Sequence, residues 1–174
     1  LLGADLRKPK IATDFNLSNE VGMSTYLIGR SSLVDAIKST SVKNMDVMLS
    51  GPIPPNPAEL IENQRMEELV GDLKQMYDII VIDSPPVGLV TDALILNKYA
   101  DAAVYIVRHN YTQRSYLENI NQLYLNKKIQ NLGIVVNAVK EKKGPLGNGY
   151  GYGYGYGYGY YSEDSEEKSD TYEG

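Results

Sequence analysis

The sequence predicts an α/β fold, a doubly wound and mainly parallel sheet followed by a flexible C-terminal tail. Apolar runs too short to be helices alternate with segments of helical period, the order expected of strands joined by helical crossovers. The runs are near-continuous in Val, Ile and Leu, as in strands covered on both faces. From about Gly144 the composition changes abruptly to Tyr alternating with Gly and then to acid. A core domain over residues 1–143 and a tail over 144–174 are therefore expected.

The expected strands are Leu1 to Asp5, Asp46 to Ser50, Tyr77 to Asp83, Ala102 to Arg108 and Leu132 to Ala138. Each is a short apolar run closed by a polar or turn-forming residue. Between them, Ser32 to Ser39 opens on a residue suited to an N-cap and reads as a helix. Ala58 to Met76 places Leu60, Ile61, Met66, Leu69, Val70 and Leu73 on one helical face. The loop before it, P-I-P-P-N-P, is stiffened by prolines, with Asn56 as a cap and Pro57 in the first turn. Thr91 to Tyr99 and Gln113 to Asn126 complete the set. In such a sheet, ligands bind beyond the carboxyl ends of the strands, here just after Asp5, Asp83 and Arg108.

Charge and composition narrow the function. The chain has 22 acidic and 17 basic residues, and residues 162–174 hold six of the acids and one Lys, so the remainder is neutral. The net −5 belongs to the tail, and nothing in the charge suggests a nucleic-acid footprint. Cysteine is absent, in keeping with a reducing compartment. No run reaches the 18 or so apolar residues of a membrane span, and no signal peptide is visible. A first strand already under way at Leu1 reads as part of a longer chain.

Two strand ends carry chemistry. In Y-D-I-I-V-I-D-S-P-P, a buried strand ends in Asp83 and two prolines stop the ladder. An acid there points into the crevice, where it can hold Mg²⁺, or it simply caps the following turn. In L-L-G-A-D-L-R-K-P, Asp5 shares a strand face with Gly3, and Arg7 follows on that side if the extension continues. A carboxylate beside a guanidinium can bind metal or accept a hydroxyl proton while the cation steadies phosphate; the alternative is an exposed ion pair of little consequence.

Together with G-P-I-P-P-N-P-A-E-L, V-T-D-A, G-I-V-V-N and the terminal tyrosines, these segments resemble the bacterial tyrosine kinases of capsule and exopolysaccharide biosynthesis. The resemblance covers nearly the whole chain. It implies an ATP- and Mg²⁺-dependent autokinase on a P-loop NTPase fold related to cell-division and partitioning ATPases. It places Asp5 at the Walker A′ acid, as Mg²⁺ ligand and acceptor of the tyrosyl proton, Arg7 at that motif's basic position, and Asp83 at the Walker B acid. Asn137 falls where related ATPases read the adenine edge, although a strand-end turn residue is an equal account. Asp92 lies near the metal or begins a helix, and its spacing before A-L-I-L favours the helix. The resemblance also implies a ring-shaped homo-oligomer phosphorylating in trans, a membrane-anchored activator domain or protein upstream, and a place at the cytoplasmic face of the cell membrane.

The acceptors implied are Tyr150, Tyr152, Tyr154, Tyr156, Tyr158, Tyr160 and Tyr161. A segment alternating Tyr with Gly has no aliphatic partner to pack against, and each Gly raises the cost of ordering it. Every hydroxyl has nearly the same local context, so an enzyme that accepts one can accept several. Each phosphate adds about −1.5 to −2 charges.

Two departures from the family pattern stand out. Its Walker A′ motif has two acids one residue apart, and here Gly3 replaces the first. No G-x-x-x-x-G-K-S/T occurs in the 174 residues, so this stretch alone is expected to bind ATP poorly and to be inactive, with the phosphate loop upstream of Leu1. Two other classes stay open: a partitioning-type ATPase switch, and a non-catalytic interaction module whose tail docks partners. His109 and Arg108 follow a strand and read as surface residues, Arg108 in an ion pair. The K-E-K-K run at Lys140 to Lys143 reads as a solvated hinge.

Overall fold

A computed structural model describes residues 1–87 and 91–139. The expected tail and all seven candidate acceptor tyrosines lie outside these described residues. The elements run β1 (Leu2–Gly3), α1 (Ile11–Asp14), α2 (Met23–Leu27), α3 (Leu33–Ala36), β2 (Ile37–Ser39), β3 (Asp46–Met48), α4 (Pro57–Glu62), α5 (Gln64–Met76), β4 (Ile82–Asp83), α6 (Asp92–Asn97), β5 (Ala103–Arg108), α7 (Arg114–Leu125) and β6 (Leu132–Asn137). The architecture is α/β and mainly parallel, as the alternation of runs predicts.

The strands form a four-stranded sheet in the order β2-β3-β1-β4 and a two-stranded sheet of β5 and β6. β1 pairs in parallel with both β3 and β4, with Leu2 opposite Met48 and Ile82 and Gly3 opposite Asp83. Only β2 is antiparallel to its neighbour. This register sets the carboxyl ends of β1 and β4 side by side.

The core lies over the larger sheet, where Leu2, Leu6, Met23, Leu27, Ile61, Met66 and Leu69 are essentially inaccessible. Each such side chain contributes about 1.5–3 kcal/mol. Leu69, Val70 and Leu73 from α5 and Leu60 and Ile61 from α4 supply the helical face read from the sequence. On the smaller sheet, Val107 and Ile120 of α7 are buried, and Tyr105 titrates high through burial and the nearby Tyr116. The opposite face, with Val104, Ile106 and Val135, is exposed among the described residues, so cover on both faces is not seen here.

Four local expectations need correction. The helix expected over Ser32 to Ser39 is one turn only, capped by Ser32 accepting from the Asp35 N–H at 3.2 Å, and the chain then becomes β2. A single turn is marginal on its own, and Ile37 gains more by pairing opposite Met48. The long helix from Ala58 to Met76 is interrupted at Asn63, which is extended and whose side chain accepts from the Arg65 N–H at 3.1 Å, so α5 has its own N-cap. Asn56 does occupy the cap of α4 with Pro57 inside it, but its side chain donates to Glu59 at 2.7 Å instead of accepting from backbone. Of the strand expected over Tyr77 to Asp83, only Ile82 and Asp83 join the ladder. Ile79 and Val81 are exposed, β1 being β4's only strand neighbour among the described residues.

Candidate active site at the carboxyl ends of β1 and β4

Parallel pairing brings Asp5 and Asp83 into one neighbourhood. Gly3 stands opposite Asp83, and the Ala4 N–H donates to the Asp83 carbonyl at 2.9 Å, so Asp5 lies just beyond the end of the shared ladder. The Asp83 carboxyl is raised above the ordinary carboxylate range, first by withdrawal of water and then by the charges of Asp5 and Asp14. The residue is exposed on its open side, so the desolvation is local to the crevice wall. Negative charges gathered at a strand end are a cost that a cation would relieve.

The extension from Asp5 to Arg7 does not continue. Leu6 to Lys8 bend, and Asp5 Oδ1 accepts both the Arg7 N–H at 3.0 Å and the Lys8 N–H at 2.9 Å. This is the self-closing turn that a short carboxylate favours, and it fixes one oxygen of Asp5 in the loop. Arg7 is thereby turned toward α6. Its Nε donates to Asp92 Oδ2 at 2.7 Å and its Nη2 to Asp92 Oδ1 at 2.9 Å, a two-point pair with a carboxylate that is 0% exposed. Asp92 is the first residue of α6, as expected, but its side chain serves Arg7 and not the helix end. Sequence spacing gives no hint of a partner 85 residues away.

Gly3 is buried, and a Cβ there would lie 3.1 Å from Ser50 Oγ, 3.2 Å from Ser50 N and 3.4 Å from Ile11 Cδ1. The place where a second acid would stand is therefore filled from β3's side.

The remaining candidates lie on β5 and β6. Asn137 ends β6, and its Oδ1 accepts the Ala138 N–H at 2.7 Å across a residue of positive φ, the turn role considered from the sequence. Arg108 places its guanidinium 5.2 Å from the centre of the Tyr111 ring, so it stacks on an aromatic face where an ion pair was expected. The His109 N–H donates to the Asn137 carbonyl at 2.9 Å.

The donor set fits magnesium. That ion is commonly held by one or two carboxylates with waters and phosphate oxygens completing its shell, and Asp5 and Asp83 are two hard oxygen donors at one edge. Among the described residues no cluster of three or more His, Asp or Glu could hold a metal, so phosphate and water would supply the rest.

No protein-family model matches the chain. It is 38% identical over 143 residues to the tyrosine-protein kinase YwqD of Bacillus subtilis, covering 82% of this chain and 60% of that protein. Its structure resembles the chimerical protein CapA2B2 with a TM-score of 0.77 at 36% identity, covering 80% of this chain and 62% of that one. A Pyrococcus furiosus cell-division ATPase, MinD, is similar at a TM-score of 0.61 and 20% identity, covering 78% of this chain and 56% of that one, a likeness of fold alone. The chain thus spans about three fifths of the length of the relatives it matches. In sequence and in fold the chain is thus similar to bacterial tyrosine kinases.

Proposed function

We propose that the protein containing this chain is an autokinase that transfers the γ-phosphoryl group of ATP to its own tyrosines, Tyr150, Tyr152, Tyr154, Tyr156, Tyr158, Tyr160 and Tyr161, and so regulates polysaccharide synthesis or export. The observation that carries this reading is the place of Asp5 just beyond the β1 end that lies beside Asp83, close enough that its charge helps to raise the Asp83 carboxyl. Asp5 and Asp83 would hold Mg²⁺, which when bound offsets charge on the phosphate oxygens. Asp5 Oδ2, left over from the turn, takes the tyrosyl proton. The tyrosyl oxygen forms its bond to the γ-phosphorus as the bridging P–O bond breaks and ADP departs. Arg7 keeps its Nη1 edge, on a side chain 40% exposed, for phosphate oxygens. Asn137 would turn its amide Nδ2 to the adenine edge. A phosphate-gripping loop is not among these 174 residues and would come from outside them, so these residues alone are inactive.

A tail tethered near residue 144 meets these strand ends most readily in a neighbouring subunit, which favours transfer in trans within a ring beside a membrane-anchored activator at the inner membrane face. No helix among the described residues is long and apolar enough to cross a membrane. Accumulated phosphates on an acidic tail repel one another and loosen the ring.

Mass spectrometry of the tail after expression of the full-length protein tests the reading. Phosphate on Tyr150 to Tyr161 is expected in the wild type and lost in Asp83→Asn. Phosphate that persists in the variant would point to another kinase.

A further inference from the structure

Asp92 is wholly buried, and its side-chain hydrogen bonds among the described residues go to one partner, Arg7, and to neither Asp5 nor Asp83. That partner, Arg7, is bound at two points, which fixes both the direction and the rotation of its guanidinium. The same residue's backbone N–H, with that of Lys8, holds Asp5 Oδ1. The links therefore run from Asp92 at the start of α6, through the Arg7 side chain, to the Arg7 and Lys8 amides, and to the carboxylate of Asp5. They also tie the loop after β1 to the first residue of α6, the helix that follows β4 in the chain.

We propose that Asp92 is a positioning residue for phosphoryl transfer: its pair with Arg7 clamps the loop after β1, so that Asp5 presents its second oxygen in one orientation toward the metal and the tyrosyl hydroxyl. The proposal rests on the kinase reading above. A carboxylate that works through an intervening group is worth as much as the geometry it fixes, and loss of such outer partners commonly costs about 10- to 100-fold in metal affinity or rate. Asparagine at position 92 keeps the shape but replaces one of the two acceptor oxygens with a donor that Arg7 cannot use. The loop then loses its clamp while Asp5 and Asp83 remain in place.

The test uses the full-length protein, with Asp92→Asn, Arg7→Lys and Asp83→Asn compared at a temperature where melting curves show each folded. Rates of tail phosphorylation are measured against ATP, and binding of Mn²⁺ with ADP is followed by electron paramagnetic resonance. Asp92→Asn is expected to lower kcat about 10- to 100-fold and weaken Mn²⁺ about tenfold, while KM for ATP moves less than about threefold. Arg7→Lys, which keeps the charge but has a single-point donor, is expected to fall between Asp92→Asn and wild type. If Asp92→Asn does not fold, the Mn²⁺ affinity of Arg7→Lys carries the test, since its kcat also reflects the contact of Nη1 with phosphate. A folded Asp92→Asn or Arg7→Lys with wild-type kcat and wild-type Mn²⁺ affinity overturns the proposal, leaving the pair a purely structural strut. Transfer that survives Asp83→Asn overturns the kinase reading instead, and the Mn²⁺ arm still decides whether Asp92 orders the metal-binding acid.

Discussion

Alanine at Gly22 should cost the fold about 3–5 kcal/mol, although the residue is extended and strains no side chain by its φ of −178°. The cost comes from packing. A Cβ at Gly22 would lie 2.6 Å from Gly51 N and 2.8 Å from Leu49 C, with the Leu49 carbonyl oxygen nearer still, and all three are backbone atoms with nowhere to rotate. Relief requires α2 to withdraw from the end of β3. That withdrawal breaks the bonds from the Met23 N–H to Leu49 O at 2.7 Å and from the Ser24 N–H to Ser50 O at 2.9 Å, each worth about 1 kcal/mol, on top of about 1–3 kcal/mol for overpacking. For a domain of this size the loss lowers Tm by roughly 10–20 °C. Gly71 is the matched control: it is exposed on α5 with nothing within 4 Å of its Cβ position, so the same substitution should stabilise by about 0.5–1 kcal/mol. Urea unfolding of both variants provides the assay. A Gly22→Ala protein within about 1 kcal/mol of wild type would refute the argument that α2 and β3 meet backbone to backbone.

Two further outcomes follow from the site. Because the Asp83 carboxyl titrates above its ordinary value of 3.8 in the fold, the folded state holds its proton longer than the unfolded chain does, and stability falls as pH rises from that value. Without divalent cations, Asp83→Asn should therefore raise Tm at neutral pH and lose the advantage below the ordinary carboxylate pKa; a lower Tm at pH 7 would contradict this. At Gly3, alanine should destabilise by about 1–2 kcal/mol in denaturant titration, since Ser50 must yield at both its Oγ and its backbone N, and aspartate should cost no less. A Gly3→Asp protein more stable than wild type would show that β3 leaves room for a second acid.

Much of the site was legible in the sequence, because acids at strand ends and prolines after them follow from one-dimensional pattern. That pattern puts Asp5 and Asp83 each at the end of an expected strand, and the parallel register sets the ends of β1 and β4 beside each other. The destination of Arg7 was not legible. An Arg two residues from an Asp reads as its neighbour's companion, whereas the turn at Leu6 sends the side chain to a buried carboxylate 85 residues on. Nor was the break at Asn63 legible, since the apolar stripe continues across it and only the cap bond reveals a second start.

Legible from the residues alone were the alternation of strands and helices, the strand ends where acids stand, and the contrast between a neutral core and an acidic, tyrosine-rich end. These depend on composition and spacing along the chain, and hydrophobic burial enforces them wherever the segments lie. Which groups meet was set by the folded arrangement alone: Asp92 with Arg7, Ser50 against Gly3, and two backbone amides on Asp5. Such contacts depend on register and turn geometry between segments far apart in the chain, and no local periodicity encodes them.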